Sequence, residues 1–130
     1  MTSAAWKKHV ERVRRICMAF PGATEKLSHG EPTFFTPKRV FAMLSSDHHG
    51  DGHWAVTLPA GPGVQEALIA ERPEAYYYPP YVGKGGWVGV DLRHVSDDEL
   101  GGLIHESWKL IGQKSKPAAK RVKAGAARRA

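Results

Sequence analysis

The sequence predicts an α+β domain in which an antiparallel sheet packs with helices from the two ends of the chain. Three observations carry that prediction. An apolar stripe at helical spacing opens the chain, and another closes it. Between them lie short extended runs separated by turn residues, with one short helical pattern intervening. Strands clustered in this way favour α+β over a parallel sheet built from alternating strands and helices.

The first helix places Trp6, Val10, Val13, Cys17 and Phe20 at spacings of three and four, while Lys7, Lys8, Glu11, Arg12, Arg14 and Arg15 fill much of the other face. Ser3 is its expected N-cap and Pro21-Gly22 its stop. Extended pieces follow at Lys26–His29, Thr33–Thr36, Val40–Ser46 and His53–Leu58. The loop 47–52 joins the last two as a hairpin. Pro59 to Gly63 breaks the pattern, and Val64, Leu68 and Ile69 predict a short helix ending near Arg72-Pro73. Ala75–Tyr78 reads as a strand stopped by Pro79-Pro80, and Gly83-Lys84-Gly85-Gly86 as a turn. Trp87–Leu92 alternates as a half-buried strand, with Gly89 marking a bulge or a close crossing. Ser96-Asp97-Asp98-Glu99 is a capping box, and Leu100, Leu103, Ile104, Trp108 and Ile111 form the stripe of the closing helix.

The net charge of +6 is unevenly spread. Residues 1–113 hold twelve basic and thirteen acidic side chains, a net of −1, while 114–130 carries +7. The expected division is a near-neutral domain, 1–113, and a basic tail, 114–130, with nothing to bury. Cys17 is the only cysteine, so no internal disulfide forms and a reducing compartment, the cytoplasm, is expected. Even the longest apolar runs, such as Val40–Leu44, are far too short to span a membrane.

Several segments in a consistent order resemble the MmcQ/YjbR family. They are Phe20-Pro21-Gly22-Ala23-Thr24-Glu25, His29-Gly30-Glu31-Pro32-Thr33-Phe34, Val40-Phe41-Ala42, Trp87-Val88-Gly89-Val90-Asp91-Leu92, Asp98-Glu99-Leu100 and Ser107-Trp108-Lys109-Leu110. The resemblance covers roughly residues 6–113. It implies an α+β fold of the double-wing DNA-binding type, shared with a phage transcription-factor domain, and it brings no established catalytic residues to carry over. A Gly-Lys pair common in the family's hairpin is here Pro37-Lys38-Arg39, which keeps a positive tip. The Asp47–His53 loop and the basic tail stand outside the family pattern.

Candidate chemistry is sparse. His48, His49 and Asp51 are ligand types for a transition ion, but a hairpin tip lacks the preorganisation of a metal site. A polar turn is expected there, with no metal and no cofactor. His105-Glu106 lacks the second histidine of HExxH, and both residues are expected to face solvent. Cys17 lies on an apolar stripe, as an inert thiol does. Tyr76-Tyr77-Tyr78-Pro79-Pro80-Tyr81, near Lys84 and Trp87, is the strongest binding cluster. Strand alternation sends Tyr77 opposite to Tyr76 and Tyr78, so at least one ring should lie outside, where stacking on a base is worth about 1–3 kcal/mol.

The function expected from these readings is a non-enzymatic nucleic-acid-binding module, with DNA as the partner. Lys38, Arg39 and Lys84 on turns, together with Tyr77, would contact it. Lys114, Lys116, Lys120, Arg121 and Lys123 of the tail would add sequence-independent phosphate contacts. Two alternatives stand beside it. One is a small-ligand or enzymatic module with a groove lined by Tyr76, Tyr78, Trp87 and His29, and the other a protein-interaction domain with an exposed apolar patch.

Overall fold

The computed structural model describes residues 4–46 and 52–114. The chain runs α1 (Ala4–Cys17), β1 (Thr24–Ser28), β2 (Glu31–Phe35), β3 (Val40–Ser46), β4 (Trp54–Leu58), α2 (Val64–Glu71), β5 (Tyr76–Tyr77), β6 (Val88–Asp91) and α3 (Asp97–Lys114). The strands form one six-stranded sheet in the order β1-β2-β3-β4-β6-β5, antiparallel throughout. The fold is therefore α+β, as the clustered strands predict. No helix among the described residues is long and apolar enough to cross a membrane.

Helix α1 buries Trp6, Val10, Val13 and Cys17 on the expected stripe. The helix stops at Cys17, yet Phe20 extends the stripe in space. Its ring stacks on Trp108 of α3, with centroids 5.0 Å apart. Helix α3 buries Leu100, Ile104 and Ile111 against the same core. Both helices pack on one face of the sheet, whose contributions include Phe34, Leu44, Val56, Val88 and Val90.

A register shift between Phe34 and Phe35 adjusts that face. Phe34 pairs with Ala42 and Phe35 with Val40, leaving Phe41 as an extra residue. The bulge lets Phe41 join Ala42 in the core, where its ring meets Phe20 edge-on at 6.3 Å.

Several boundaries differ from the sequence reading, each for a local reason. β1 and β2 begin two residues early because His29 and Gly30 form a two-residue turn, with φ of 54° and 82°. Thr36 leaves β2 to close the next turn. β5 shrinks to Tyr76–Tyr77, since Pro79 cannot continue a hydrogen-bonded ladder. Leu92–His94 forms a 3-10 turn instead of strand, started by the Asp91 carboxylate accepting from Arg93 N. The capping box is half formed. Glu99 N donates to Ser96 Oγ at 3.1 Å, while the Glu99 carboxylate turns away to Arg72 and Tyr76. Ser3 lies outside the described residues.

The register also sets the two ends of the sheet. Pairing of Phe35 with Val40, Leu58 with Val88 and Tyr77 with Gly89 puts the 36–39 turn and the 78–87 loop at one end. The His29-Gly30 turn, the last residue of β3, Ser46, with the first of β4, Trp54, and the 92–94 turn lie at the other.

Candidate functional site

The first turn at the shared end is built on Thr36. Its hydroxyl accepts from the backbone of Lys38 and Arg39 at 3.2 and 3.0 Å, and Thr36 N donates to Arg39 O at 2.7 Å. Pro37 braces against Gly22, where an added Cβ would lie 3.3 Å from its ring. Lys38 and Arg39 are exposed at the tip.

The second turn is more elaborate. Val82 N donates to Pro80 O at 2.7 Å and Gly83 N to Pro79 O at 3.1 Å. Tyr81, between Pro80 and Val82, therefore sits at the centre of a γ-turn with φ of 67°, a left-handed conformation that is strained for a bulky side chain. A 3-10 turn at Gly83–Gly85 follows and holds Lys84 outward. Gln65 of α2 staples the loop, donating from Nε2 to Gly83 O at 2.9 Å and Trp87 O at 2.6 Å. A Cβ at Gly83 would lie 2.6 Å from the Tyr78 ring, so a side chain there would displace that ring.

Both ends carry charge of both signs, with Glu25 and Glu106 toward the turn end and Arg12, Arg72 and Arg93 toward the other. Lys38, Arg39 and Lys84 occupy the turn end. Glu74, Asp91, Asp97, Asp98 and Glu99 lie toward the other, where Arg12 pairs with Asp97 at 2.6 Å and Arg72 with Glu99 at 2.8 Å. The hydrogen bonds donated by Tyr76 and Arg72 hold the Glu99 carboxyl below its ordinary value, and burial with Glu99 alongside pushes the Tyr76 phenol up. Helix α3 ends at the turn end, for Ser107 Oγ donates to Pro59 O at 2.7 Å just beyond β4.

The helix-free face of the sheet holds a groove of 640 Å³. A register row runs across it: Thr33, Met43, Thr57, Gly89 and Tyr77 are successive cross-strand partners. The 79–82 segment forms one wall and the Ser28-His29 turn the other. Glu31 is 8% exposed and lines the groove, its Oε2 accepting from Ser46 N at 3.1 Å and Ser46 Oγ at 2.9 Å. No lysine or arginine lines it. His29 and Tyr81, the two non-glycine residues with positive φ among those described, both do.

Beside the groove, the His53 and Tyr77 rings stack in parallel at 3.7 Å. His53 Nδ1 lies 3.3 Å from Asp91 Oδ2, and Arg93 binds both oxygens of that carboxylate at 2.8 and 3.0 Å. Burial opposes ionisation of Asp91, but the bonds from Arg93 and His53 prevail and hold it below the carboxylate range. This network fixes the Tyr77 ring. A smaller cavity of 260 Å³ between α2 and α3 is mainly aliphatic, with the Ser107 hydroxyl already used on Pro59 and Glu106 paired to Lys109.

The structure redraws the groove expected from sequence. His29 lines it, but Tyr76 pairs with Val90 and so faces the helices, buried. Tyr78 turns onto Gly83, and Tyr77 and Tyr81 take their places. Among the described residues no three His, Cys, Asp or Glu gather for a metal, while His48, His49 and Asp51 lie outside them. Cys17 is buried and burial pushes its thiol up. His105 is exposed as expected and stacks on Phe20. Lys114 ends α3, and Lys116, Lys120, Arg121 and Lys123 lie outside the described residues. Gln65 and Glu31 carry no expected role as positioning or lining residues, while Tyr81 belongs to the binding cluster named from the sequence.

Comparison with known proteins completes the picture. The family model described as YjbR matches residues 18–110, well over half of the chain. The crystal structure of Deinococcus radiodurans protein DR2400, which carries the family-model domain DUF419, matches with a TM-score of 0.72 and 24% sequence identity. That match covers 86% of this chain and 84% of the other, and shows a shared fold. No curated protein matches.

Proposed function

The chain belongs to the YjbR family, and from that premise we propose that it is a nucleic-acid-binding module that acts by binding and not by catalysis, with duplex DNA as its partner. The observation that carries this reading is the placement of Lys38, Arg39 and Lys84 on two braced turns at one end of the sheet, with Asp97, Asp98 and Glu99 at the other.

The β2–β3 and β6–β5 pairs are three strand spacings apart, about 14 Å. That separation is comparable with the ~12 Å width of a DNA major groove, so two tips used as wings reach phosphates on both strands. Their lysine and arginine side chains supply affinity without reading bases. Helix α3 carries the chain past Pro59 toward this same end, about 10 Å from Ser107 to Lys114. The further cations of 116–129 follow in sequence from there. Tyr78, 56% exposed beside Lys84, adds a stacking surface at the loop.

The test is fluorescence polarisation of a labelled duplex across a salt series. The full chain is compared with Lys38→Glu/Arg39→Glu/Lys84→Glu and with a full-length variant whose tail cations are changed to glutamine. Each phosphate contact contributes about −0.9 to the salt slope. The turn variant should lower the slope's magnitude by about 3. Binding by the turn variant indistinguishable from the parent would remove the domain from the interaction, and no binding by the parent at low salt would end the proposal.

A further inference from the structure

Helix α2 departs from ordinary amphipathic packing. The residue it buries is Gln65, whose amide binds Gly83 O and Trp87 O. Its aliphatic residues Val64 and Leu68, one turn apart, instead line a cleft of 260 Å³ between α2 and α3. Leu103 and Leu110 line the opposite wall from α3, and the register partners Leu58 and Val88 of the sheet lie between. We infer that this cleft is a binding site for a linear aliphatic chain of about eight carbons ending in a carboxylate.

The lining selects a chain over a ring. None of the residues that form the cleft is aromatic, so a flat ring finds nothing to stack on. Ser107 already donates its hydroxyl to Pro59 O at 2.7 Å, so a polar group brought into the interior meets a hydroxyl in use. Aliphatic walls attract apolar surface in proportion to its area.

Size selects further. One turn of helix with its side chains fills ~400 Å³, so a helix of another protein does not fit. At the ~30 Å³ of a water-sized group the cleft holds about eight or nine such groups in line. Leu103 and Leu110 are seven residues apart on α3, which makes that wall about 10 Å long. A cleft this short takes a free medium-length acid, and not an acyl chain still anchored in a bilayer.

The mouth selects the head group. Lys109 and Glu106 are the charged members of the lining, paired at 3.3 Å. Their side chains are 47% and 72% exposed, so the lysine lies closer in and the glutamate reaches further into water. A lysine stem covers apolar surface while its ammonium stays hydrated. A carboxylate at the chain's end meets that ammonium without leaving water. The existing pair opposes this little, because an exposed ion pair is weak.

The experiment titrates the full chain with octanoate, hexanoate and butanoate, each at up to about 10 mM, and follows backbone amides by NMR. Acetate is the ionic control, and octylamine is the cationic chain of equal length. Octanoate should shift Val64, Leu68, Leu103 and Leu110 saturably, and acetate should not. Each two-carbon shortening should weaken binding about tenfold, and octylamine should bind less tightly than octanoate. Equal shifts with acetate, tighter binding of octylamine, or no shift with octanoate at the highest concentration would overturn the site. So would shifts with phosphatidylglycerol vesicles and none with octanoate.

Variants locate the site. Val64→Trp fills the cleft from a position that is 41% exposed, and Leu110→Gln changes a half-buried wall residue. Each should weaken octanoate about tenfold or more, with unchanged amide dispersion verifying the fold. Lys109→Gln should weaken octanoate severalfold and abolish its advantage over octylamine. Undiminished binding in both cleft variants would overturn the proposal. Two other occupants are readable in the free chain. Dilution shifts at the same four residues would give the cleft to a second copy, and NOEs from Val122 to Leu103 or Leu110 would give it to the tail. Either result would overturn the ligand site. The DNA measurement changes Lys38, Arg39 and Lys84, and this one changes Val64, Lys109 and Leu110, so failure of either proposal is distinguishable from failure of the other.

Discussion

The ring of Tyr77 lies against the backbone of Gly89, its register partner across β5 and β6. A Cβ at Gly89 would fall well inside contact distance of three ring atoms. His53 covers the ring from another side, so it has little room to yield. Gly89→Ala should destabilise the fold by about 1–3 kcal/mol, as overpacking does. Chemical denaturation measures this. Adding Tyr77→Ala should recover part of the loss, since the clash requires both residues, and strict additivity would show that the ring is not the cause.

Glu99 replaces one half of its capping box with a tertiary contact. Its carboxylate accepts from both Arg72 and the Tyr76 hydroxyl, and its pKa is lowered in the folded state. A lowered folded value means that the contribution to stability is present above the unfolded pKa, about 4.3, and is lost as pH falls through the folded value. Glu99→Gln should therefore cost about 1 kcal/mol near pH 7, and the difference from the parent should shrink below about pH 4. Unfolding midpoints from pH 3 to 7 check the sign, and a gap that widens in acid would refute it.

Gln65 closes the 78–87 loop from the far side of a helix. The bonds to Gly83 O and Trp87 O come from a single buried amide nitrogen, so Gln65→Leu leaves both carbonyls without that donor. The expected cost is about 1–3 kcal/mol. Loosening should centre on the loop, so amide exchange of Val82 and Gly85–Trp87 should quicken more than that of β3. Uniform quickening across the sheet would place the effect in global stability instead.

The parts legible in the sequence are those set by local chemistry. Stripes in α1 and α3, Ser96 as a cap and the break at Pro59–Gly63 depend on neighbours within a few residues. Gly89 is legible as a bulge or a close crossing, because a glycine amid alternating apolar residues marks missing volume, and the structure makes it the crossing. What crosses it was not, since that requires the register of β5. The same register sends Tyr76 inward to Glu99 and Tyr77 outward to the groove, which the run Tyr76-Tyr77-Tyr78 leaves open. Gln65 and Glu31 gave no signal. Their roles arise from contacts 15 to 22 residues away in sequence, made only when strands and helices assemble.

Tyr81 permits a direct reading of stored strain. Its φ of 67° is costly for any residue with a Cβ and costs glycine nothing. Tyr81→Ala removes the ring but keeps the Cβ, while Tyr81→Gly removes both. At an ordinary position glycine is the less stable by about 0.5–1 kcal/mol, through the entropy of the unfolded chain. Here the order should invert, with Tyr81→Gly more stable than Tyr81→Ala by about 1 kcal/mol in thermal or urea unfolding. If alanine is instead the more stable, Pro79 and Pro80 impose no left-handed turn in solution, and the conformation that places the tyrosine on the groove wall carries no strain.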